Sequence, residues 1–467
     1  MNRNNKIVSA LLFGAAITAG VLFAQTPPSP IPSRPDPKEI PLPIIKTSMP
    51  EMPSVDQLPN RPEMPDAMTL NNGQKVKTIA QWNQRRQEMK NILEYYFTGY
   101  GPPPPGNVKG HEISSELLLN GKVKYRLVHL TFGSNESLSL DIGIFTPTEG
   151  GPVPVVISPS GTPPGATPLP RLPQGANQGT GKDALLVVGP MPPSAASEAA
   201  ARQTPHTAEQ IAESNPALAH GYAFVTFNNN DCGEDTTLRN PDGSWAYRTT
   251  RFFPAYPNYD WGLLRAWAWG ASRIVDYLIT DSSIDKNKLI ITGVSRAGKS
   301  ALIAGAFDER FSLVAPVASS GAGTPALRFS GTVPDRGGKE GLTEEVSKYP
   351  NWFSPHLHQF WGQPEKLPFD EHWFIALVAP RPFIALEGDH DQNVNQNGVY
   401  QSWLNAMPAY EFLQNSDALG VNWADRPHGM VQGDWDALFT FADHFLSNKP
   451  ITRQFNRFPT GIPPPKN

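Results

Sequence analysis

The sequence predicts an α/β fold in which helices sandwich a mostly parallel central sheet. Short apolar runs with turn residues nearby are typical of parallel strands buried on both faces. The 467-residue chain has four such runs, Val153 to Ile157, Ala223 to Phe227, Leu289 to Thr292 and Phe383 to Leu386. A helical stretch, Asp260 to Leu278, separates the second run from the third. Strands that alternate with helices indicate an α/β fold.

Two more helices are expected near the ends of this fold. Thr78 and Gln81 have the spacing of a capping box, which predicts a helix over 79–97. A second apolar-periodic stretch over 434–446 predicts a helix that closes the domain.

The two ends of the chain are expected to lie outside the folded domain. Arg3 and Lys6 precede an apolar stretch and Ala24 follows it, so residues 1–24 predict a signal peptide, with a membrane anchor as the alternative. Residues 25–67 are crowded with proline and predict an extended leader that does not pack. The catalytic domain is then expected over 68–452, followed by a proline-containing tail over 453–467. A secreted or periplasmic bacterial protein fits this order.

Composition excludes several classes of protein. The formal net charge is −4, and no concentrated basic face predicts nucleic-acid binding. Cys232 is the only cysteine, so neither an internal disulfide nor a cysteine-based zinc cluster is possible. We expect a monomer without stable membrane insertion, and a small-molecule or polysaccharide partner.

The sharpest local signal is the octet over 293–300, Gly-Val-Ser-Arg-Ala-Gly-Lys-Ser, which stands between a predicted strand and a predicted helix. A serine on a tight strand-to-helix turn points its hydroxyl off the sheet and serves as a nucleophile in the α/β-hydrolase fold. Ser295 occupies that position. Ala297 stands where the G-x-S-x-G pattern has its last glycine.

The same octet matches the phosphate-binding pattern G-x-x-x-x-G-K-[ST], with Lys299 and Ser300 in the phosphate and magnesium roles. A phosphate-binding loop normally comes early in its domain, and an exported protein meets little nucleotide. Context therefore favours the nucleophile, with a purely structural turn as a third interpretation.

A nucleophilic serine in this fold is followed along the chain by an acid and then a histidine. His428 lies in a His-Gly loop before the last predicted helix, which is where the base belongs. Asp391 follows the strand at 383–386 and is the leading candidate for the acid, ahead of Asp389 and Glu387. His390 is the main rival to His428, and with its neighbouring carboxylates it is also a weak candidate metal ligand. We expect neither metal nor cofactor.

These motifs together resemble the glucuronoyl esterases of carbohydrate esterase family 15, of the bacterial type. The stretch 293–299 is similar to the family signature G-x-S-R-x-G-K, and similarity extends over 260–270, 367–382 and 428–435. The resemblance implies an α/β-hydrolase that cleaves esters between 4-O-methyl-glucuronic acid on xylan and lignin alcohols. It implies that Arg296 stabilises the oxyanion and that Lys299 donates to sugar hydroxyls. Another carbohydrate esterase, acting on acetyl or feruloyl groups, would use the same residues.

The chain departs from the family pattern at three places. Many members carry the acid as Glu in an E-S-G turn, where this chain has Ala318-Ser319-Ser320-Gly321, so the resemblance implies the alternative acid position, Asp391. Asn393 stands where members often have a sugar-stacking tryptophan, and we expect it to line the substrate site. The family's uronate-binding Gln and Glu have no clear counterparts over 341–352.

Overall fold

The computed structural model describes residues 52–172, 206–240, 243–329 and 340–458. The predicted signal peptide over 1–24 lies outside these ranges, as does the leader up to residue 51. Within the described ranges, no helix has both the length and the apolar character needed to cross a bilayer.

A single nine-stranded sheet forms the centre of the described fold, in the order β1-β2-β3-β5-β4-β6-β7-β8-β9. The first three strands pair antiparallel, as do β3 and β5, and the six strands from β5 to β9 pair parallel. The strands are β1 Lys109–Leu118, β2 Val123–Phe132, β3 Leu138–Pro147, β4 Val153–Pro159, β5 Ala223–Phe227, β6 Ile284–Val294, β7 Leu313–Val317, β8 Phe383–Gly388 and β9 Leu419–Ala424.

Helices follow most of the parallel strands, which confirms the predicted α/β-hydrolase architecture. They are α1 Ile79–Leu93, α2 Ala208–Ser214, α3 Pro216–Ala219, α4 Leu263–Leu278, α5 Arg296–Phe307, α6 Leu342–Lys348, α7 His372–Val378, α8 Gln396–Phe412 and α9 Gln432–Ser447. The chain steps from β4 to β5 in one direction and from β5 past β4 to β6 in the other. Because parallel crossovers are right-handed, α2–α3 and α4 lie on opposite faces of the sheet.

The four apolar runs are all strands, and each is buried on both faces of the sheet. Every residue of β5, β7 and β8 is buried. The three antiparallel strands were not predicted from the sequence. In β1 nine of ten residues are exposed, so that strand has no apolar run to reveal it. The predicted helix over 79–97 is α1 followed by a π-helical turn over Glu94–Thr98.

Residues 53–67, which the sequence assigns to the leader before the predicted boundary at residue 68, pack against the domain. The Pro65 carbonyl accepts hydrogen bonds from the His372 ring at 2.6 Å and from Trp373 Nε1 at 3.0 Å. Val55 and Ala67 are buried. Buried polar donors need partners, and this proline-rich segment supplies the carbonyl that the His372 and Trp373 side chains require. Sequence composition alone indicated an extended segment but not its docking.

Residues 453–458, which the sequence assigns to the tail after the predicted boundary at 452, also contact the domain. The Phe455 carbonyl accepts from the Val421 amide at 2.6 Å, and the Phe455 ring is buried. Phe458 packs against Trp403 and Trp423. The tail therefore continues the edge of the sheet beside β9 up to the last described residues.

The parallel order places three loops at one edge of the sheet. Residues that follow β6, β8 and β9 all leave from carboxyl ends, and the carboxyl ends of parallel strands meet at the same edge. The connection from β4 runs one way along the sheet and the connection from β6 runs the other way. Open α/β sheets bind ligands outside the carboxyl ends at such a reversal.

Candidate active site

Ser295 forms the whole connection between a strand and a helix. β6 ends at Val294 and α5 begins at Arg296. Ser295 has φ 60° and ψ −125°, and its amide donates to the Val317 carbonyl at 2.9 Å. A non-glycine residue with positive φ is uncommon and strained, and such residues cluster at active sites. The turn exposes the first N–H groups of α5, which have no partner within the helix and favour a nearby negative charge.

Two glycines make this turn possible. A Cβ on Gly293 would lie 2.6 Å from the Ala297 carbonyl oxygen, and a Cβ on Gly298 would lie 2.8 Å from the Gly293 carbonyl oxygen. Both contacts are with backbone, so no side chain fits at either position. Close packing thus requires glycine at 298, whereas position 297 accepts the alanine that departs from the G-x-S-x-G pattern.

The phosphate-binding interpretation of the octet is wrong. A phosphate-binding loop needs several residues of open backbone between strand and helix, and here one residue separates β6 from α5. Residues 296–300 are already helical. The Lys299 amine, which would contact phosphates, instead points into the protein, and the residue as a whole is 1% exposed.

His428 and Asp391 meet at the same edge of the sheet. Asp391 follows β8 and His428 follows β9, and His428 Nδ1 lies 2.8 Å from Asp391 Oδ2. The Asp391 side chain is fully buried, whereas the His428 ring is 33% exposed. A buried carboxylate on Nδ1 leaves Nε2 as the nitrogen that faces a reacting group.

The rival acids and bases have other surroundings. The His390 ring is 70% exposed and pairs with the exposed Asp425 at 2.9 Å, so it lacks a buried carboxylate. Glu387 is fully buried within β8, and burial raises its pKa well above the usual value. His372 is bonded to the leader. Over the described ranges, no cluster of three or more His, Cys, Asp or Glu side chains has the arrangement of a metal site.

Arg296 lies at the mouth of the site, directly after Ser295. Its guanidinium forms an ion pair with Asp235, a residue that follows β5. The guanidinium carbon also lies 5.2 Å from the centre of the Trp352 ring. About half of the Arg296 side chain remains exposed (49%). Asp235 was not singled out from the sequence, although its place shortly after a predicted strand was a usable signal.

Lys299 is placed one helical turn beyond Ser295 and faces the protein interior. Its amine donates to the Ser319 carbonyl at 2.7 Å and to Ser320 Oγ at 2.6 Å, and it lies 3.6 Å from Glu345 Oε1. An ammonium group has three donors. In this structure those donors hold the turn after β7, so contact with a sugar hydroxyl requires an exchange of partners.

A family model, named relatives and solved structures all show similarity to one family of esterases. A family model described as glucuronyl esterase, fungi, matches residues 195–414. "Carbohydrate esterase MZ0003", from an unknown prokaryotic organism, is 27% identical over 82% of this chain and 90% of its own. A 4-O-methyl-glucuronoyl methylesterase of Podospora anserina is 26% identical over 90% of this chain and 68% of its own.

Solved structures agree with these relatives. A family 15 glucuronoyl esterase from Caldicellulosiruptor kristjansonii has a TM-score of 0.63 at 28% identity, covering 86% of this chain and 95% of that one. A promiscuous family 15 esterase from a marine bacterial metagenome has a TM-score of 0.64 at 26% identity, covering 84% and 99%. Over more than four fifths of its length the chain is similar to esterases of carbohydrate esterase family 15. It is a carboxylic ester hydrolase.

The turn after β7 is where many family 15 members carry their acid. In this chain Ala318 and Ser320 have φ 44° and 48°, and the turn carries no carboxylate. Lys299 donates to two of its residues. The turn thus keeps a strained backbone beside the site without supplying an acid, while Asp391 is the carboxylate bonded to His428.

Glu345 is a site residue that the sequence did not reveal. It lies on α6, within the stretch 341–352 where we found no counterpart to the acidic family residues, and it is fully buried against Lys299. Its neighbour Glu344 is partly exposed, so two adjacent glutamates of one short helix have different surroundings. No sequence signal distinguished them. Asn393, expected to line the site, is exposed, and its backbone N–H donates to Asp391 Oδ1 at 2.9 Å.

The Glu345 carboxyl gives a pH-dependent contribution to stability. Burial raises the pKa of Glu345 from 4.5 to about 8, and Lys299 opposes the rise. Between 4.5 and about 8 the unfolded chain is ionised at this group while the folded chain holds the proton, so the unfolding free energy falls as pH rises. We expect Glu345→Gln to remove this loss. The difference in Tm between variant and wild type should widen over that pH range in thermal unfolding.

The matched control for this prediction is Glu344→Gln, one residue earlier and partly exposed. Its Tm difference from wild type should stay constant over the same pH range. A constant difference for Glu345→Gln as well would contradict the proposed pH dependence.

Proposed function

We propose that this enzyme hydrolyses esters between the carboxyl group of 4-O-methyl-glucuronic acid on xylan and lignin alcohols. The observation that carries the proposal is the 2.8 Å contact between His428 Nδ1 and Asp391 Oδ2, at the sheet edge from which Ser295 also leaves. The relatives named as 4-O-methyl-glucuronoyl methylesterases support the acyl part of this substrate. The lignin alcohol and the xylan chain are inferred from the family resemblance.

The reaction proposed for these residues is acyl transfer in two steps. The Ser295 hydroxyl attacks the uronoyl carbonyl while His428 Nε2 takes its proton. Asp391 accepts a hydrogen bond from Nδ1–H, which fixes the imidazole tautomer and stabilises the positively charged ring. The tetrahedral intermediate then expels the alcohol, which takes the proton from His428. Water, activated by the same histidine, hydrolyses the acyl-enzyme and releases the free uronic acid.

The negative oxygen of the tetrahedral intermediate needs hydrogen-bond donors. The first amides of α5 and the Arg296 guanidinium lie next to Ser295 and are the groups proposed for this role. A single such donor is worth about 3 kcal/mol in related chemistry. On the opposite side of the turn, Lys299 and Glu345 are proposed to recognise sugar hydroxyls once Ser320 is displaced as a partner of the lysine. Asn393 is proposed to line the outer rim.

The proposal includes the chain's location. A polymeric plant substrate does not enter a cell, and residues 1–24 have the features of a signal peptide. We therefore propose that the enzyme acts after export.

A panel of esters tests the substrate. We expect purified protein to hydrolyse methyl and benzyl glucuronate with kcat/KM about a hundredfold or more above that for acetylated xylan or a feruloyl ester, because polar groups built to bind a uronate discriminate strongly. The second candidate is broader ester hydrolysis, favoured by the promiscuous family 15 relative at 26% identity. Comparable kcat/KM values across the panel would select that alternative.

A further inference from the structure

We propose that Asp235 is a positioning residue that aims the Arg296 guanidinium at the reacting carbonyl and weakens binding of the acid product. The inference rests on the proposed function, in which Arg296 stabilises the oxyanion. Asp235 lies in the loop after β5, and its amide donates to Asn230 Oδ1 at 2.9 Å. Its own side chain is only 14% exposed. The backbone of Asp235 is thus anchored, and its carboxylate is largely shielded from water.

One carboxylate connects three segments that surround the site. Asp235 Oδ2 pairs with Arg296 Nη1 at the start of α5. Asp235 Oδ1 accepts from Trp352 Nε1 at 2.8 Å and from Asn351 Nδ2 at 3.2 Å. Removal of the carboxylate would leave these donors without their shared acceptor.

The pairing fixes a side chain that would otherwise be free to move. Arginine loses rotamer freedom when it is held in place, and half of the Arg296 side chain is exposed. The guanidinium lies above the Trp352 ring, and Asp235 also holds that ring through its indole nitrogen. Asp235 therefore fixes both the cation and the surface beneath it. A donor that is already oriented costs no reorganisation when the oxyanion forms.

The same pairing affects substrate and product differently. The ester substrate is neutral at its carboxyl group, whereas the released uronic acid is an anion. A carboxylate beside Arg296 repels that anion and competes with it for the guanidinium. At about 4 Å, two unit charges in water interact by about 1 kcal/mol, which corresponds to roughly fivefold in affinity. Asp235 should thus favour release of the acid.

The test compares Asp235→Asn with wild type on methyl glucuronate, with free glucuronate as the inhibitor. The amide keeps the size of the side chain and one acceptor oxygen but removes the charge. We expect kcat to fall about tenfold with little change in KM, while the inhibition constant of glucuronate falls about fivefold. These opposite changes distinguish positioning from general damage, which would weaken catalysis and product binding together.

A double-mutant cycle with Arg296→Ala shows whether Asp235 acts through the arginine. If it does, Asp235→Asn changes kcat by no more than about twofold in the Arg296→Ala background. Asp281→Asn is the matched control, since Asp281 also forms an ion pair with an arginine, Arg126, and its side chain is 7% exposed. That variant should leave kcat and product inhibition unchanged.

Three results would overturn the inference. The first is an unchanged kcat in Asp235→Asn, the second is weaker product inhibition, and the third is a tenfold loss that persists without Arg296. Each of these presupposes an active wild type. A wild type without activity on glucuronate esters would overturn the proposed function itself, and the inference with it.

Discussion

Replacing Ser295 with alanine should reduce kcat on a glucuronate ester by about 10⁴- to 10⁶-fold, because it removes the hydroxyl proposed to form the acyl-enzyme. KM and the thermal unfolding temperature should change little, since the substitution removes one oxygen and keeps the backbone. Steady-state kinetics with methyl glucuronate and thermal unfolding measure both quantities. Turnover above a hundredth of the wild-type value would remove Ser295 from the mechanism.

Ser300→Ala provides the matched control for that variant. Ser300 lies five residues further along, on α5, and is buried (3% exposed). It would hold magnesium in a nucleotide-binding protein, but it has no part in the proposed esterase. We expect this variant to keep wild-type kcat.

Asp391→Asn has the second largest expected effect, a fall in kcat of about 10³- to 10⁴-fold. The amide stays within reach of His428 Nδ1, yet its NH₂ group can donate there, which would favour the wrong imidazole tautomer. It also cannot stabilise the imidazolium that forms during attack. The measurement is kcat and KM on methyl glucuronate, with KM expected to stay near the wild-type value.

Asp389→Asn separates the two aspartates of the same loop. Asp389 lies two residues earlier and its backbone amide donates to the Ala424 carbonyl at 2.9 Å. We expect at most a severalfold change in kcat for this variant. A reversed order of effects, with Asp389 the more sensitive, would assign the acid to Asp389.

The sequence predicted the strands that are buried on both faces of the sheet. Strands such as β5 and β7 are covered on both faces and consist of apolar or small residues, so the run is visible without any neighbour. The antiparallel strands could not be read in this way. β1 is exposed along nearly its whole length and is held by pairing with β2. Its stability comes from the partner strand, which a local pattern does not contain.

The site residues could be predicted where they come directly after a predicted strand. Ser295, Asp391 and His428 each come just after a carboxyl end, so strand positions and chain order sufficed to select them. Glu345 and Trp352 reach the site from a segment without such a landmark. Their position depends on how α6 and the following turn pack on the domain, which is a tertiary property.

The packing of residues 53–67 against the domain also could not be predicted from a local sequence pattern. Proline content predicted an extended chain, but the acceptors for His372 and Trp373 are backbone carbonyls, and every residue type has one. No letter in the sequence distinguishes a carbonyl that a buried ring needs from one that faces water.

The backbone of Ser295 implies a trade-off between catalysis and folding. Glycine adopts a φ of 60° freely, whereas any residue with a Cβ does so at a cost of order 1–3 kcal/mol. The serine at the nucleophile position is therefore more strained than a glycine would be there. Selection for thermal stability alone would replace Ser295 with glycine, and the resulting protein would be more stable but catalytically inactive.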